Sequence, residues 1–338
     1  MNRKLIALAV AGATVVPAAM AQTANPVTLY GRAYLTLESV EAKGTPSLGR
    51  RTQLQDQSSM FGIRGTEDLG GGLKAFFQLE TVFRLDQTGS SFANRNSGVG
   101  LQGGWGSFLM GRWDMPFKTT TIAIDPYGDL TIGGITAALN RDGAVSFDRR
   151  DDNVLQYWSP SLGGFAFRLA YQVRDTSPTA THDQGASATF SRGPVYAVLA
   201  YEEHKDLAAG GNEKGWALGG SFVAGPVKFG ALAEEFKRDG RSSKRKSWLA
   251  NVVWTAGNHQ FIYQYQQSKS GGANGATTQP DCKVHQPGWQ YNFSRRTFFL
   301  LQYADVKNNA AAICGANILA VAAGQDPRGY SLGLRHTF

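Results

Sequence analysis

The stretch Phe165-Ala166-Phe167-Arg168-Leu169-Ala170-Tyr171-Gln172-Val173-Arg174 alternates throughout: Phe165, Phe167, Leu169, Tyr171 and Val173 take one parity, and Ala166, Arg168, Ala170, Gln172 and Arg174 the other. A period of two puts these sets on opposite faces of an extended strand, one oily and one wet. The pattern recurs at Trp248, Ala250, Val252 and Trp254, and at Phe261, Tyr263 and Tyr265 against Gln264 and Gln266. Leu73, Ala75, Phe77 and Leu79 likewise oppose Lys74, Gln78 and Glu80. Several stretches carry aromatic residues near their ends, where a membrane-spanning strand meets the two interfaces.

Outward from these strands, short breakers punctuate the chain: Asp68 to Gly72, Gly103 to Gly106, Ser159 to Gly163, Arg192 to Pro194, Ala224 to Pro226, Ala256 to Asn258 and Ser294 to Arg296. Their Gly, Pro, Asn, Asp and Ser content suits tight turns, and they recur about every 32–38 residues, with one interval of about 57. Each interval holds a strand, a loop and a returning strand. With one further strand pair at each end, over 27–66 and 297–338, the rhythm predicts sixteen strands. The opposite connections are long and polar, roughly 39–56, 85–94, 115–149, 174–183, 204–213, 237–245, 269–285 and 307–328. Short turns on one side and long loops on the other are the mark of an all-β transmembrane barrel, with the short turns in the periplasm. A solenoid would repeat residues as well as lengths, and no such repeat is present.

Composition is consistent with this. The 338 residues are 42% hydrophobic, 11% aromatic and 18% charged, with 41 Gly, 12 Pro and 2 Cys. Disordered, collagenous and disulfide-scaffold chains are excluded. The formal charge of +8 suits nucleic acid, lipid phosphate or small anions, and by itself does not choose among them. The amino terminus does. Arg3 and Lys4 precede an apolar run from Leu5 to Val16, and Pro17-Ala18-Ala19-Met20-Ala21 offers small residues for cleavage. This reads as a secretory signal peptide over 1–21, leaving a single barrel domain over 22–338. Nucleic acid is thereby set aside as a partner. No later window approaches 18 consecutive apolar residues, so export leads to the periplasm, the medium or the outer membrane. Oily outward parity, turn asymmetry and the leader favour the outer membrane, and sixteen strands enclose more space than their own inward side chains can fill.

The segment Ser59-Met60-Phe61-Gly62-Ile63-Arg64-Gly65-Thr66-Glu67-Asp68-Leu69-Gly70-Gly71-Gly72-Leu73-Lys74-Ala75, followed by Phe77-Gln78-Leu79-Glu80, resembles the second and third strands of the trimeric general diffusion porins of Gram-negative bacteria, in their β-proteobacterial branch. Val27-Thr28-Leu29-Tyr30-Gly31, Met110-Gly111-Arg112, Asn153 to Pro160 with Gly163-Gly164-Phe165, and Tyr330 to Phe338 extend the resemblance in order along the chain. It implies a homotrimer in the outer membrane, passing small hydrophilic solutes and ions, with the third loop folded inward. It also implies a carboxyl-terminal strand, marked by Tyr330, Leu332, Leu334 and Phe338, that the barrel-assembly machinery reads. On this analogy Arg64, Arg112 and Arg150 match a basic wall cluster, with Arg149 competing for the last place, facing acids of the third loop. Met60 departs from the pattern, since members usually carry Arg before this Phe-Gly.

Parity supplies an independent reading of the charges. Arg32, Arg64, Lys74, Glu80, Arg84, Arg112, Arg150, Arg168 and Arg174 come out on the wet face, Arg112 only if Trp113 faces lipid. Asp114, Asp125 and Asp129 are the candidate acids of the third loop, with turn formation or pairing to Lys118, Arg141 or Arg149 as the alternative. Side-chain charge around water selects ions by sign, and the arginine excess predicts a mild anion preference. Cys282 and Cys314 fall in the seventh and eighth external loops, where an oxidising compartment permits a disulfide. The basic run Lys237, Arg238, Arg241, Lys244, Arg245 and Lys246 lies in the sixth loop, in reach of lipopolysaccharide phosphates or simply solvated. Gly98, Gly100 and Gly103 fit a dinucleotide fingerprint in spacing alone, because no helix follows. No metal or cofactor site is predicted. A substrate-specific channel is the alternative function, although inward Tyr30, Tyr34 and Tyr196 are too scattered to show one. A barrel enzyme lacks a His paired with a nucleophile.

Overall fold

The computed structural model describes residues 27–89, 91–128, 130–142, 145–173, 182–206, 211–240, 244–270 and 281–338. The leader predicted over 1–21 lies outside them, as do Asp129, Arg174 and Arg241. Sixteen antiparallel strands form a closed barrel. They are β1 (Thr28–Lys43), β2 in two segments (Leu48–Asp56 and Met60–Gly70), β3 (Leu73–Val82), β4 (Ser97–Gly103), β5 (Gly106–Asp114), β6 (Arg150–Trp158), β7 (Phe165–Gln172) and β8 (His182–Arg192). The second half comprises β9 (Val195–Lys205), β10 (Glu213–Ala224), β11 (Val227–Arg238), β12 (Arg245–Ala256), β13 (His259–Ser270), β14 (Asp281–Asn292), β15 (Thr297–Asn308) and β16 (Asp326–Thr337).

Closure is made by β1, which pairs with both segments of β2 on one side and with β16 on the other. The ladder runs to the last residue: Gly31 N donates to Phe338 O at 3.1 Å and Phe338 N returns to Gly31 O at 3.0 Å. Gly31 is required there, since a Cβ would stand 2.5 Å from both the Phe338 ring and the Met60 carbonyl. Full closure leaves no sheet edge, the condition for a β-structure in hydrocarbon. The alternating face behaves as its chemistry dictates. On β7, Phe167 and Leu169 are 44% and 53% exposed, whereas Ala170 is 7%. Trp216, Trp248, Trp254, Phe261 and Tyr263 are exposed on the same outer surface.

All seven predicted tight turns join consecutive strands. The loops differ in places from their expected extents. The first connection was expected over 39–56, but β1 and β2 run on in register as far as Ala42 and Leu48, so only residues 44–47 turn. Polar alternation such as Arg50, Arg51 and Gln53 was read as loop; it is strand, because both faces of a strand beyond the membrane can be wet. The third loop holds helix α1 (Pro116–Thr121), opened by proline at its start, the 3-10 turns Ile122–Ile124 and Ile135–Ala137, and a small hairpin of Arg141–Asp142 with Val145–Ser146.

The apolar core lies inside the barrel rather than within its wall. Phe117, Ile124, Ile132, Ile135, Leu139 and Phe147 of the third loop pack with Ile318 and Leu319 of the eighth against Val198, Leu232, Phe236, Leu249, Val284 and Val306 of the inner wall. These wall positions belong to the parity expected to be wet. They are apolar because protein, and not water, covers them.

Candidate functional site

A loop inside a barrel carries backbone groups that must find partners. Here the wall supplies them. Gln264 Nε2 donates to Gly133 O (3.2 Å), Gln266 Nε2 to Gly134 O (3.0 Å), Gln286 Nε2 to Ile132 O (3.2 Å) and Asn251 Nδ2 to Ile124 O (3.0 Å). Gln266 Oε1 accepts from Ala138 N, and Glu234 accepts from Asn140 N. Tyr127 hydroxyl donates to Gln286 O at 2.9 Å. Burial, reinforced by the Asp125 charge, raises the Tyr127 pKa well above the ordinary value, so the phenol stays a neutral donor. The loop's return is fastened by Phe147, whose ring stacks on His204 with centroids 4.3 Å apart. Gly215 allows that approach, as a Cβ would come within 2.5 Å of the Phe147 ring.

The third loop therefore packs mainly against the inner face of β8 to β15, with Tyr127 also against Tyr34 of β1, and leaves the water path along the rest of the wall. That remaining wall is basic. Arg32 donates through Nε to Ser58 O at 3.0 Å and lies within electrostatic reach of Arg95, Arg335 and Glu80. Arg64 sits over the Tyr30 ring at 4.9 Å, and Arg335 over Phe298 at 5.4 Å. Arg32, Arg64 and Arg335 have no carboxylate within ion-pair distance among the described residues. Glu80 is buried between Arg95 and the Tyr30 hydroxyl. Met60 pairs with Arg32 in register, which places its thioether beside the basic group.

Several expected site residues land elsewhere. Asp125 does not face the path: it is 6% exposed, and its carboxylate accepts from Tyr127 N (3.0 Å), Ile135 N (2.8 Å) and Gln264 Nε2 (3.2 Å), a staple within the loop. Asp114 is not across the lumen from the arginines but beside one, 2.9 Å from Arg150 Nη2 and 3.6 Å from Lys118 Nζ. Arg149 ties the loop to the wall through Asp151 (2.5 Å) and Asp183 (3.0 Å) instead of joining the cluster. Trp113 is buried against Trp158 rather than facing lipid, because it shares the inward parity of buried Leu109, opposite to exposed Phe108 and Met110. The condition on which Arg112 was placed on the wet face fails, and its side chain pairs with Asp152 at 2.5 Å. Arg84 is exposed beyond the end of β3, where parity has no meaning. Lys74 and Arg168 line a lumenal cavity near the short turns.

Arg95 and Arg335 were missed. Arg335 was legible: Tyr330, Leu332 and Leu334 are exposed on the lipid face, so Arg335 is wet by the same parity. Arg95 precedes β4 in a loop, and no local pattern marks it.

The eighth loop is a second inward element. Gly315 N donates to Ala137 O at 2.9 Å and Asn317 Nδ2 to Thr131 O at 3.2 Å. The Cys282 and Cys314 sulfurs stand 2.00 Å apart, joining this loop to the start of β14. Among the described residues, no group of three His, Cys, Asp or Glu side chains is arranged to hold a metal ion.

An outward apolar face, a closed ladder and a basic water path narrowed by an internal loop define a passive outer-membrane channel. The chain belongs to the Gram-negative porin family, whose profile matches residues 7–311. It is 32% identical to outer membrane porin protein 32 of Delftia acidovorans over 366 residues, all of both chains. It is 33% identical to the major outer membrane protein P.IB of Neisseria gonorrhoeae over 183 residues, 52% of this chain and 50% of that one. The fold is similar to that of an anion-selective porin from Comamonas acidovorans, with TM-score 0.82 and 27% identity over 93% of this chain and 100% of that one. The protein is an outer-membrane β-barrel that passes small hydrophilic solutes by diffusion, and it is not an enzyme.

Proposed function

We propose that this channel favours small anions, and that Arg32, Arg64 and Arg335 set the preference, with Arg95 and Arg150 contributing less because each is paired. The observation that carries the reading is the imbalance along the path. Three arginines have no carboxylate within ion-pair distance among the described residues, while Asp114 is neutralised by Arg150 and Lys118 and Asp125 is turned into the loop. Uncompensated side-chain charge around confined water raises the local concentration of the opposite ion. The anion-selective porin of similar fold agrees with this sign. The reversal potential of the reconstituted channel in a salt gradient tests it: an anion-favouring value is expected, reduced by R335Q, and a cation-favouring value refutes the proposal.

The same reading carries a homotrimer, a leader removed at residue 21 to leave a barrel over 22–338, and recognition of the Tyr330 to Phe338 strand by the barrel-assembly machinery. Family membership and the exposed Tyr330, Leu332 and Leu334 support these. Lipopolysaccharide contact through the sixth loop rests on exposed Lys246 and Lys244, which share Glu235. Amino-terminal sequencing of the mature protein and its mobility in unheated detergent gels test the leader and the trimer.

A further inference from the structure

Against helix α1 lies a cavity of about 730 Å³ whose lining includes Lys74, Gln102, Thr119, Trp158, Pro160 and Arg168. Its volume is that of a small-molecule site, and it opens beside the turn residues Gly72, Gly103 and Gly106, at the short-turn end of the barrel. Both charged lining residues are cations. Arg168 lies over the Trp158 indole at 5.4 Å. Neither it nor Lys74 has a carboxylate within ion-pair distance among the described residues. Asp68 stands opposite Lys74 in the strand register, but accepts from Gly70 N at 2.8 Å and makes no ion pair with it. By contrast, Arg149, which ties the third loop to the wall, has Asp151 and Asp183. The remaining wall is mixed, with Trp158, Pro160, Ala123 and Ala166 beside the polar Gln102 and Thr119.

We propose that this alcove retains small aryl carboxylates on their way through the channel. A guanidinium fixed on an indole face presents its outer N–H groups to a carboxylate, and Lys74 adds a second cation. The apolar part of the wall takes the ring, which a simple inorganic anion lacks. The site is separate from the constriction arginines, and its occupancy does not depend on the sign of the ion preference.

Benzoate is the probe, titrated on the short-turn side of single full-length channels in a planar bilayer carrying chloride current. The current is expected to fall saturably with benzoate, but not with acetate at the same concentration. R168Q and K74Q are each expected to raise the half-blocking concentration about tenfold, the loss of one charge-assisted contact. R335Q, altered at the constriction, keeps the parent value. Chloride conductance before benzoate is added shows that each variant has assembled, and Lys74, an exposed side chain, is replaceable without disturbing the barrel. A strictly linear fall, equal block by acetate, parental block in both R168Q and K74Q, or loss of block in R335Q would each overturn the proposal. A cation-favouring reversal potential would refute the selectivity reading and leave this result standing.

Discussion

Asp114 and Arg150 lie on adjacent strands with carboxylate and guanidinium 2.9 Å apart, and Lys118 approaches the same carboxylate at 3.6 Å. The acid at the base of the third loop thus quenches its own neighbours instead of opposing the arginine wall across the water. D114N removes that compensation. At about 4 Å a unit charge in water is worth about 1 kcal/mol, so the anion-to-cation permeability ratio is expected to rise by up to about fivefold, read from the reversal potential. An unchanged or reduced ratio would show that Asp114 does not screen the path.

The third loop depends on wall amides for its internal position. Q286A strips the donor from the Ile132 carbonyl and the acceptor from the neighbouring Gln264 and Gln266 side-chain amides. Leaving such groups unsatisfied costs about 1–3 kcal/mol. The expected outcome is a lower melting temperature, noisier single-channel current, and entry of larger sugars in liposome-swelling assays.

The eighth loop rests on the third, and its crosslink to β14 closes a sequence separation of 32 residues. Loop-closure entropy over such a span is worth about 3–4 kcal/mol. C314S, or reduction of the reconstituted protein, is expected to release Gly315 and Asn317 from the third loop. Protease nicking within 309–325 should become faster while the barrel persists; nicking at the parental rate would mean that the covalent link adds nothing to the packing of Ile318 and Leu319.

On β7 the outer face is the lipid contact. L169R puts a guanidinium in hydrocarbon and is expected to cost about 2–4 kcal/mol in folding into lipid vesicles, whereas a charge at the inward position 170 is expected to cost less. Equal penalties at the two positions would contradict the assignment of faces.

The strand parities, the seven tight turns and the sixteen-strand count were legible in the chain, because a sheet between hydrocarbon and water imposes a period of two at every step. The same rule, applied to Leu334 and Arg335, would have added an arginine to the wall. It was misread at Arg112, which shares the parity of exposed Phe108 and Met110, and it does not apply at Arg84, beyond the last paired residue. It also left unexplained why Leu249 and Val253 are apolar inside a channel. Both are buried under protein that the sequence does not place there.

What the sequence alone determined is local and repetitive: which residues meet lipid, where the chain turns, and that the enclosed space is wet. The inward course of the third and eighth loops, the burial of Asp125, the Asp114–Arg150 pair and the absence, among the described residues, of carboxylates beside Arg32, Arg64 and Arg335 were decided only in three dimensions. Each depends on contacts between segments far apart in the chain, such as Gln286 with Ile132 or Asn317 with Thr131, for which no periodicity exists.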